Sequence, residues 1–559
     1  MSTLDSEKSI FLWGVATSSY QVEGGITNND WDFFTKSKSI RNRISNMTKP
    51  SFFYKDTTQV ILQPAEEAVK LWDPEYYIND FRIAHKLGMN TFRISLEWAR
   101  IEPEKDVWNQ DAIDHYRDMI KAMIDNGLIP IVTLNHFTFP LWVLTPPSKF
   151  QKRVGQSILP SPLKDIPFAD PIVEDPYWKS LRGWENYQTI QEFIKFVTKM
   201  VVALKDLVDY WITMNEPVGS IIGTGYLAGL SPPGFFLDGK RAKMVLHNLI
   251  EAHVQAYDTI TSLDNVDADG DRIPKKVGFV HLMMAISPAQ PTKVFSITIK
   301  DNIEAAKNFA YFINDYFINA VVNGEEDLNY LNTLERYNKN SSDFVIHEDW
   351  KNKADFVGLD YYRRLYIYYS KIIALSSARF VGGAFINNLH LERNDNQPHG
   401  ILNDLGWEIF PAGLYDIIMQ IKKQWNNIPI LITENGIADK SDKYRAPFMT
   451  AHLQQIKQAL DNGANIIGYL HWSLVDNYEW HESYRPESKF GLFSIDCEAR
   501  MNNADFNRQM TNGAEAFGLI IKGSFAQNKD GVISDSAISK SKDKFGIFAP
   551  DGSTIIKAK

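Results

Sequence analysis

A chain of 559 residues that is 44% hydrophobic and 23% charged has the make-up of a soluble globular protein, long enough for one large α/β barrel. Its net charge of −9, without a basic block, argues against a nucleic-acid partner, and a single cysteine, Cys497, excludes intrachain disulfides and cysteine-cluster metal sites. No apolar run reaches the roughly 18 residues of a membrane span, and the opening MSTLDSEKSIFLWG carries charges where a secretory leader needs an apolar core, so a cytoplasmic protein with no membrane partner is expected.

Strand-like stretches recur along the chain. The first is 11–18 (FLWGVATS), followed by 90–97 (NTFRISLE), 129–136, 209–215, 276–284, 355–361, 428–434 and 466–473. Helix-period segments fall between them, among them 187–207, 301–323 and 446–462. This alternation predicts an α/β fold, a single (β/α)8 TIM barrel. Three connections, 20–75, 143–182 and 363–410, are long, polar and rich in Pro, Gly or Asn. They follow strands one, three and six, so they should stand over the C-terminal face and wall a pocket. Residues 1–525 are assigned to the barrel. Residues 526–559 form a C-terminal extension whose turn signals and short apolar runs suit a packed hairpin or a tail.

Two glutamates end apolar runs: Glu216 in WITMNEP (211–217) and Glu434 in ILITENG (430–436). A Pro or Gly stops each run, which places both carboxylates at the C-terminal ends of strands, where barrel enzymes carry their chemistry. Paired carboxylates on either side of a bond are what glycoside hydrolysis requires.

The motifs TMNEP and ITENG resemble those of glycoside hydrolase family 1, the β-glucosidase family, and the similarity runs over roughly residues 10–520. FLWGVATSSYQVEGG (11–25) resembles the family's opening strand, GMNTFRISLEWARI (88–101) its second strand, LNHFTFPLW (134–142) its third, and YLHWSLVDNYEW (469–480) its last strand and loop. Several stretches are closer in wording to the archaeal-type branch. The resemblance implies Glu216 as acid/base and Glu434 as nucleophile, the latter supported by Arg93 and Tyr362. It further implies sugar contacts from Gln21, His136, Asn215, Trp472, Glu479 and Trp480. Retention of configuration, through a covalent glycosyl-enzyme, then requires carboxyl groups about 5–5.5 Å apart.

The implied substrates are small β-glycosides or oligosaccharides. Members that take 6-phospho-sugars have Ser near Glu479, and a carboxylate there should repel phosphate, so unphosphorylated β-D-glucosides, galactosides or fucosides are expected. A transglycosidase would use the same glutamates with an acceptor alcohol in place of water. A non-catalytic sugar-binding barrel of the Klotho-like branch lacks one glutamate, whereas this chain has both. No metal and no organic cofactor is implied, and assembly into a homo-oligomer is left open.

Three positions depart from the family pattern. Asp360 in FVGLDYY (356–362) stands where Asn is usual, Lys489 where Arg is expected, and His281 in a strand-five region where Asn is frequent. An ionised Asp360 would raise the pKa of the nearer catalytic glutamate, whereas one that is protonated, or paired with Arg363 or Arg364, would act like the usual Asn.

Overall fold

A computed structural model of the protein describes residues 10–47, 62–144, 182–290, 298–328, 344–370, 384–386, 400–495 and 506–557. Residues 48–61, 145–181, 371–383 and 387–399 of the three long connections, and Cys497, lie outside them. Every predicted strand segment contains a barrel strand: β1 (Leu12–Ala16), β2 (Thr91–Ser95), β3 (Ile129–Asn135), β4 (Tyr210–Asn215), β5 (Lys276–Leu282), β6 (Phe356–Asp360), β7 (Ile430–Asn435) and β8 (Ile466–His471). They pair in parallel in sequence order and close through β8 onto β1.

Strands buried on both faces read as near-continuous apolar runs, and these do. Their alternation still sorts side chains. In β2, Phe92 and Ile94 face the helices while Arg93 points inward; in β6, Val357 and Leu359 face out, and Phe356 belongs to the barrel interior. Asp360, two pleats on from Gly358, therefore faces the interior as well.

Each strand is followed by a helix: α1 (Pro74–Leu87), α2 (Gln110–Asp125), α3 (Tyr187–Leu204), α4 (Gly239–Leu263), α5 (Ile299–Ala310), α6 (Pro411–Gln424), α7 (Arg445–Asp461) and α8 (Asn512–Gln527). Local chemistry starts them. Asp73, Asn109 and Asn186 accept hydrogen bonds from the first-turn amides of α1, α2 and α3, and Thr298 with Asp301 forms a capping box on α5. Gly88, at φ 103°, closes α1 in the left-handed conformation that favours glycine. Among the described residues no helix is long and apolar enough to cross a membrane.

Several elements were not foreseen in the sequence. Helices Asp30–Lys36 and Lys38–Met47 lie in the first connection, and a small sheet joins Ala285–Pro288, Arg364–Tyr369 and Ala384–Ile386. Beyond α8, helix α9 (Asp535–Phe545) was likewise unforeseen, whereas the antiparallel pair Ile547–Phe548 with Ile555–Ile556 is a hairpin of the kind expected for the extension; both pack on the barrel's outer layer. There Ile547 and Phe548 join Ile437 and Phe448 in one buried cluster.

Candidate active site

Where the barrel opens at its C-terminal face, two strands gain a residue. The pairing of β4 with β5 slips between Ile212 and Asn215, and that of β7 with β6 slips between Ile432 and Glu434. Leu431 points into the barrel and Ile432 toward the helices, so strict alternation would send Glu434 outward too. The extra residue reverses that parity and turns Glu434 into the mouth. Glu216 follows β4 with φ 41° and ψ 58°, a left-handed conformation that costs a non-glycine residue about 1–2 kcal/mol. Its amide is held by the carbonyl of Val280 at 2.9 Å, which fixes the turn.

The environments of the two glutamates differ. Glu434 accepts from Arg93 Nη1 at 2.8 Å on one oxygen and from the Tyr362 hydroxyl at 2.8 Å on the other. Arg93, wholly buried, also donates through Nε to Thr133 Oγ1 at 2.9 Å and through Nη2 to Asn215 Oδ1. Burial pushes the Glu434 pKa up, against the opposing pull of Arg93 and Tyr362. Glu216 accepts from the Ser220 hydroxyl, and burial followed by the charge of Glu434 pushes its pKa up to about 7. One carboxyl oxygen from each of Glu216, Asp360 and Glu434 lies within 4.8 Å of the other two.

A cavity opens above them, lined by His136, Asn215, Glu216, Tyr362, Glu434, Trp472, Glu479 and Trp480. Burial and the nearby Arg93 hold the His136 pKa well below the ordinary value, so the ring is neutral; its Nδ1 is 3.0 Å from Ser95 Oγ. Trp480 lies 6.1 Å from the His136 ring at an interplanar angle of 25° and 4.6 Å from Trp31. Glu479 is pushed up to about 8 by burial and then by the charges of Glu434 and Glu482.

Arg93 and Gln21 do not line the cavity. Gln21 is fully buried, with its Nε2 donating to the Tyr478 carbonyl at 2.5 Å, while no described residue donates to its Oε1. At the departed positions, the alternative of an arginine partner for Asp360 is corrected. Neither Arg363 nor Arg364 pairs with Asp360: Arg364 forms a two-pronged ion pair with Glu408 at 2.8 and 2.6 Å, and Arg363 lies 4.4 Å over the Trp407 ring, near Glu216 and Glu482. Lys489 turns to Asp476 at 3.6 Å and to the Ile495 carbonyl, and His281 stacks on Phe317 on the helix side of β5. Neither residue reaches the cavity.

The sequence reading missed Asp30, Trp31, Ser220, Arg363 and Trp407 in the cavity wall. Asp30, Trp31, Arg363 and Trp407 lie in the connections 20–75 and 363–410 that the sequence placed over the C-terminal face without singling out these side chains, and Ser220 follows Glu216 closely in the chain.

The family assignment follows from comparison with known proteins. Residues 5–153 and 178–524 match the sequence profile of Glycosyl hydrolase family 1. The chain belongs to that family. It is accordingly an O-glycosyl hydrolase of the retaining β-glycosidase kind. It is 28% identical over 533 residues to a β-galactosidase of Pyrococcus woesei, covering 87% of this chain and 92% of that protein. A 6-phospho-β-galactosidase of Clostridium acetobutylicum is 26% identical over 516 residues, 88% of this chain and 93% of that protein. Among solved structures, the β-glycosidase from Pyrococcus horikoshii superposes with a TM-score of 0.65 at 25% identity, over 95% of this chain and 96% of that one.

Proposed function

We propose that Glu434 is the nucleophile and Glu216 the acid/base of a hydrolase for unphosphorylated β-D-glucosides, galactosides or fucosides. The observation that carries this reading is the unequal treatment of two carboxyls whose oxygens lie within 4.8 Å. One is braced by a guanidinium and a phenol, while the other, held up to about 7, meets a hydroxyl. Oxygens this close suit a retaining pair, with carboxyl groups about 5–5.5 Å apart, better than an inverting pair about 6.5–9.5 Å apart.

Glu434 attacks the anomeric carbon as the glycosidic C–O bond breaks, and Glu216 gives its proton to the leaving oxygen. Esterification removes the negative charge at Glu434, so the Glu216 pKa falls and its carboxylate can take a proton from the attacking water. Arg93 links the two halves of the site, because its fork holds Glu434 and, through Asn215, the residue placed to meet the sugar's 2-hydroxyl. Neutral His136, Glu479 and Trp480, which line the cavity, would read the other hydroxyls. Trp472 would floor the ring. The single cysteine supports a cytoplasmic setting.

The test is chemical rescue. Glu434→Gly should lose turnover and regain it with formate, giving inverted product, whereas Glu216→Gly should regain it with azide and yield the β-azide. An α-azide from the Glu216 variant reverses the assignment.

A further inference from the structure

Among the described residues, Asp360 is a carboxyl in the floor of the site with no assigned task. Its position follows from register: in the parallel ladder it pairs with Glu434 on β7 and with Leu282 on β5. It is completely buried. Thr433 donates its hydroxyl to Oδ1 at 2.7 Å, but no N–H or O–H of the described residues reaches Oδ2. What lies closest to Asp360 are the carboxyls of Glu216 and Glu434, with one oxygen of each of the three groups within 4.8 Å of the other two.

An ionised carboxylate has no donor, so contact between two of them is repulsive in a buried site; a proton on one turns the contact into a hydrogen bond. Among the described residues, the charged groups around Asp360 leave it no cation to itself. Arg93 is spent on Glu434, Asn215 and Thr133, Arg364 on Glu408, and Arg363 faces Glu216 and Glu482. Tyr362 donates to Glu434, and on neighbouring β5 His281 is stacked away on Phe317 and held neutral by burial.

We propose that Asp360 is a protonated positioning residue, whose acid O–H bridges the catalytic carboxyls, so that the resting site carries two protons on three carboxyl groups. The bridge has a separate use in each half of the reaction. Before attack, the O–H reinforces the Glu434 carboxylate. After Glu216 has passed its own proton to the leaving oxygen, the same O–H can swing to the new Glu216 carboxylate, while the proton stays on Asp360. Water then returns a proton to Glu216 as its oxygen bonds to the anomeric carbon and the ester bond to Glu434 breaks. Burial, then Glu434 and Glu216, push the Asp360 pKa well above its ordinary value, in agreement with this geometry.

This inference rests on the assignment of Glu216 and Glu434 for its catalytic part, but the protonation itself is measurable without turnover. Difference infrared spectra of wild type and Asp360→Asn at neutral pH should show one carboxylic-acid carbonyl band lost in the variant. In kinetics, Asp360→Asn keeps a neutral donor and should retain kcat/KM within a few-fold, with neither limb of its pH profile moved to lower pH. Asp360→Leu, of similar size without a donor, should lose about 10- to 100-fold, the worth of a hydrogen bond to a charged group. An unchanged carboxylic-acid band, or a limb displaced to lower pH in Asp360→Asn, overturns the proposal, because either result means that Asp360 was ionised. Failure of azide and formate rescue would overturn the glutamate assignment and leave the infrared result standing.

Discussion

At the scale of single residues, function and stability pull in opposite directions. Glu216 is raised to about 7 and Glu479 to about 8, chiefly by burial, so both hold protons in the folded state that they release in the unfolded one. The sign follows from linkage: stability present below the unfolded carboxylate range is lost as pH rises through those folded values. Glu216→Gln should therefore be more stable than wild type at about pH 8, by of order 1–3 kcal/mol, with the difference vanishing near pH 4. Denaturant titrations across that range will decide it; equal stability at the alkaline end would show that the buried acid costs nothing. The same raised value predicts that kcat/KM falls as pH rises through about 7, because the proton donor is then lost. Glu479 bears on selectivity, with Glu482 beside it in the cavity wall. A phosphate on the sugar's 6-position adds negative charge beside Glu482, while Arg363 in the same wall already faces Glu216 and Glu482, so an aryl β-glucoside should exceed its 6-phosphate in kcat/KM by roughly 100-fold, from about 3 kcal/mol for an uncompensated charge. Preference for the phosphorylated substrate would sink the assignment of Glu479.

At the scale of elements, the site depends on how closely β7 and β8 approach at their ends. A Cβ on Gly436, just after β7, would lie 2.0 Å from the carbonyl oxygen of Trp472, just after β8. Backbone cannot give way as a side-chain tip can. Gly436→Ala should therefore displace Trp472 from the cavity wall, with about 1–3 kcal/mol of overpacking and a fall in kcat/KM. Gly270→Ala is the control, since a Cβ there meets nothing within 4 Å and the cost is confined to its φ of 82°. It should lower Tm modestly and leave kinetics unchanged. Unaltered kinetics in Gly436→Ala would mean that the strand ends are looser than their contact distance indicates.

At the scale of the whole molecule, the C-terminal extension lies beyond the family match, which ends at residue 524, yet it is tied to both ends of the chain's core. The amide of Phe11 donates to the Asp530 carbonyl at 2.8 Å, and the indole of Trp13 to that of Gly531 at 2.7 Å, so the extension anchors the first barrel strand. Ile538, Ile547 and Phe548 are buried, each contributing roughly 1.5–3 kcal/mol. A chain ending at residue 527 should unfold several degrees lower, and in one transition, if the extension and barrel form a single cooperative unit. An unchanged Tm would make the extension an ornament.

What the sequence determined by itself was whatever is written locally. Alternating apolar strands and helical periods specify the barrel, because parallel strands buried on both faces and amphipathic helices leave few other ways to bury their surfaces. TMNEP and ITENG mark two strand ends as the place for chemistry, since the residues that stop a strand are its neighbours in the chain. The tertiary structure decided what depends on residues distant in sequence. Arg93 and Glu434 meet because β2 and β7 share one barrel; Trp31 reaches Trp480 across the mouth; and Arg364, adjacent to a site residue in sequence, turns instead to Glu408. The parity of Glu434 rests on one extra residue in β7, and the state of Asp360 on which cations its neighbours have already taken. Charge and direction at a buried site are set by the sum of nearby groups, and that sum exists only once the chain has closed.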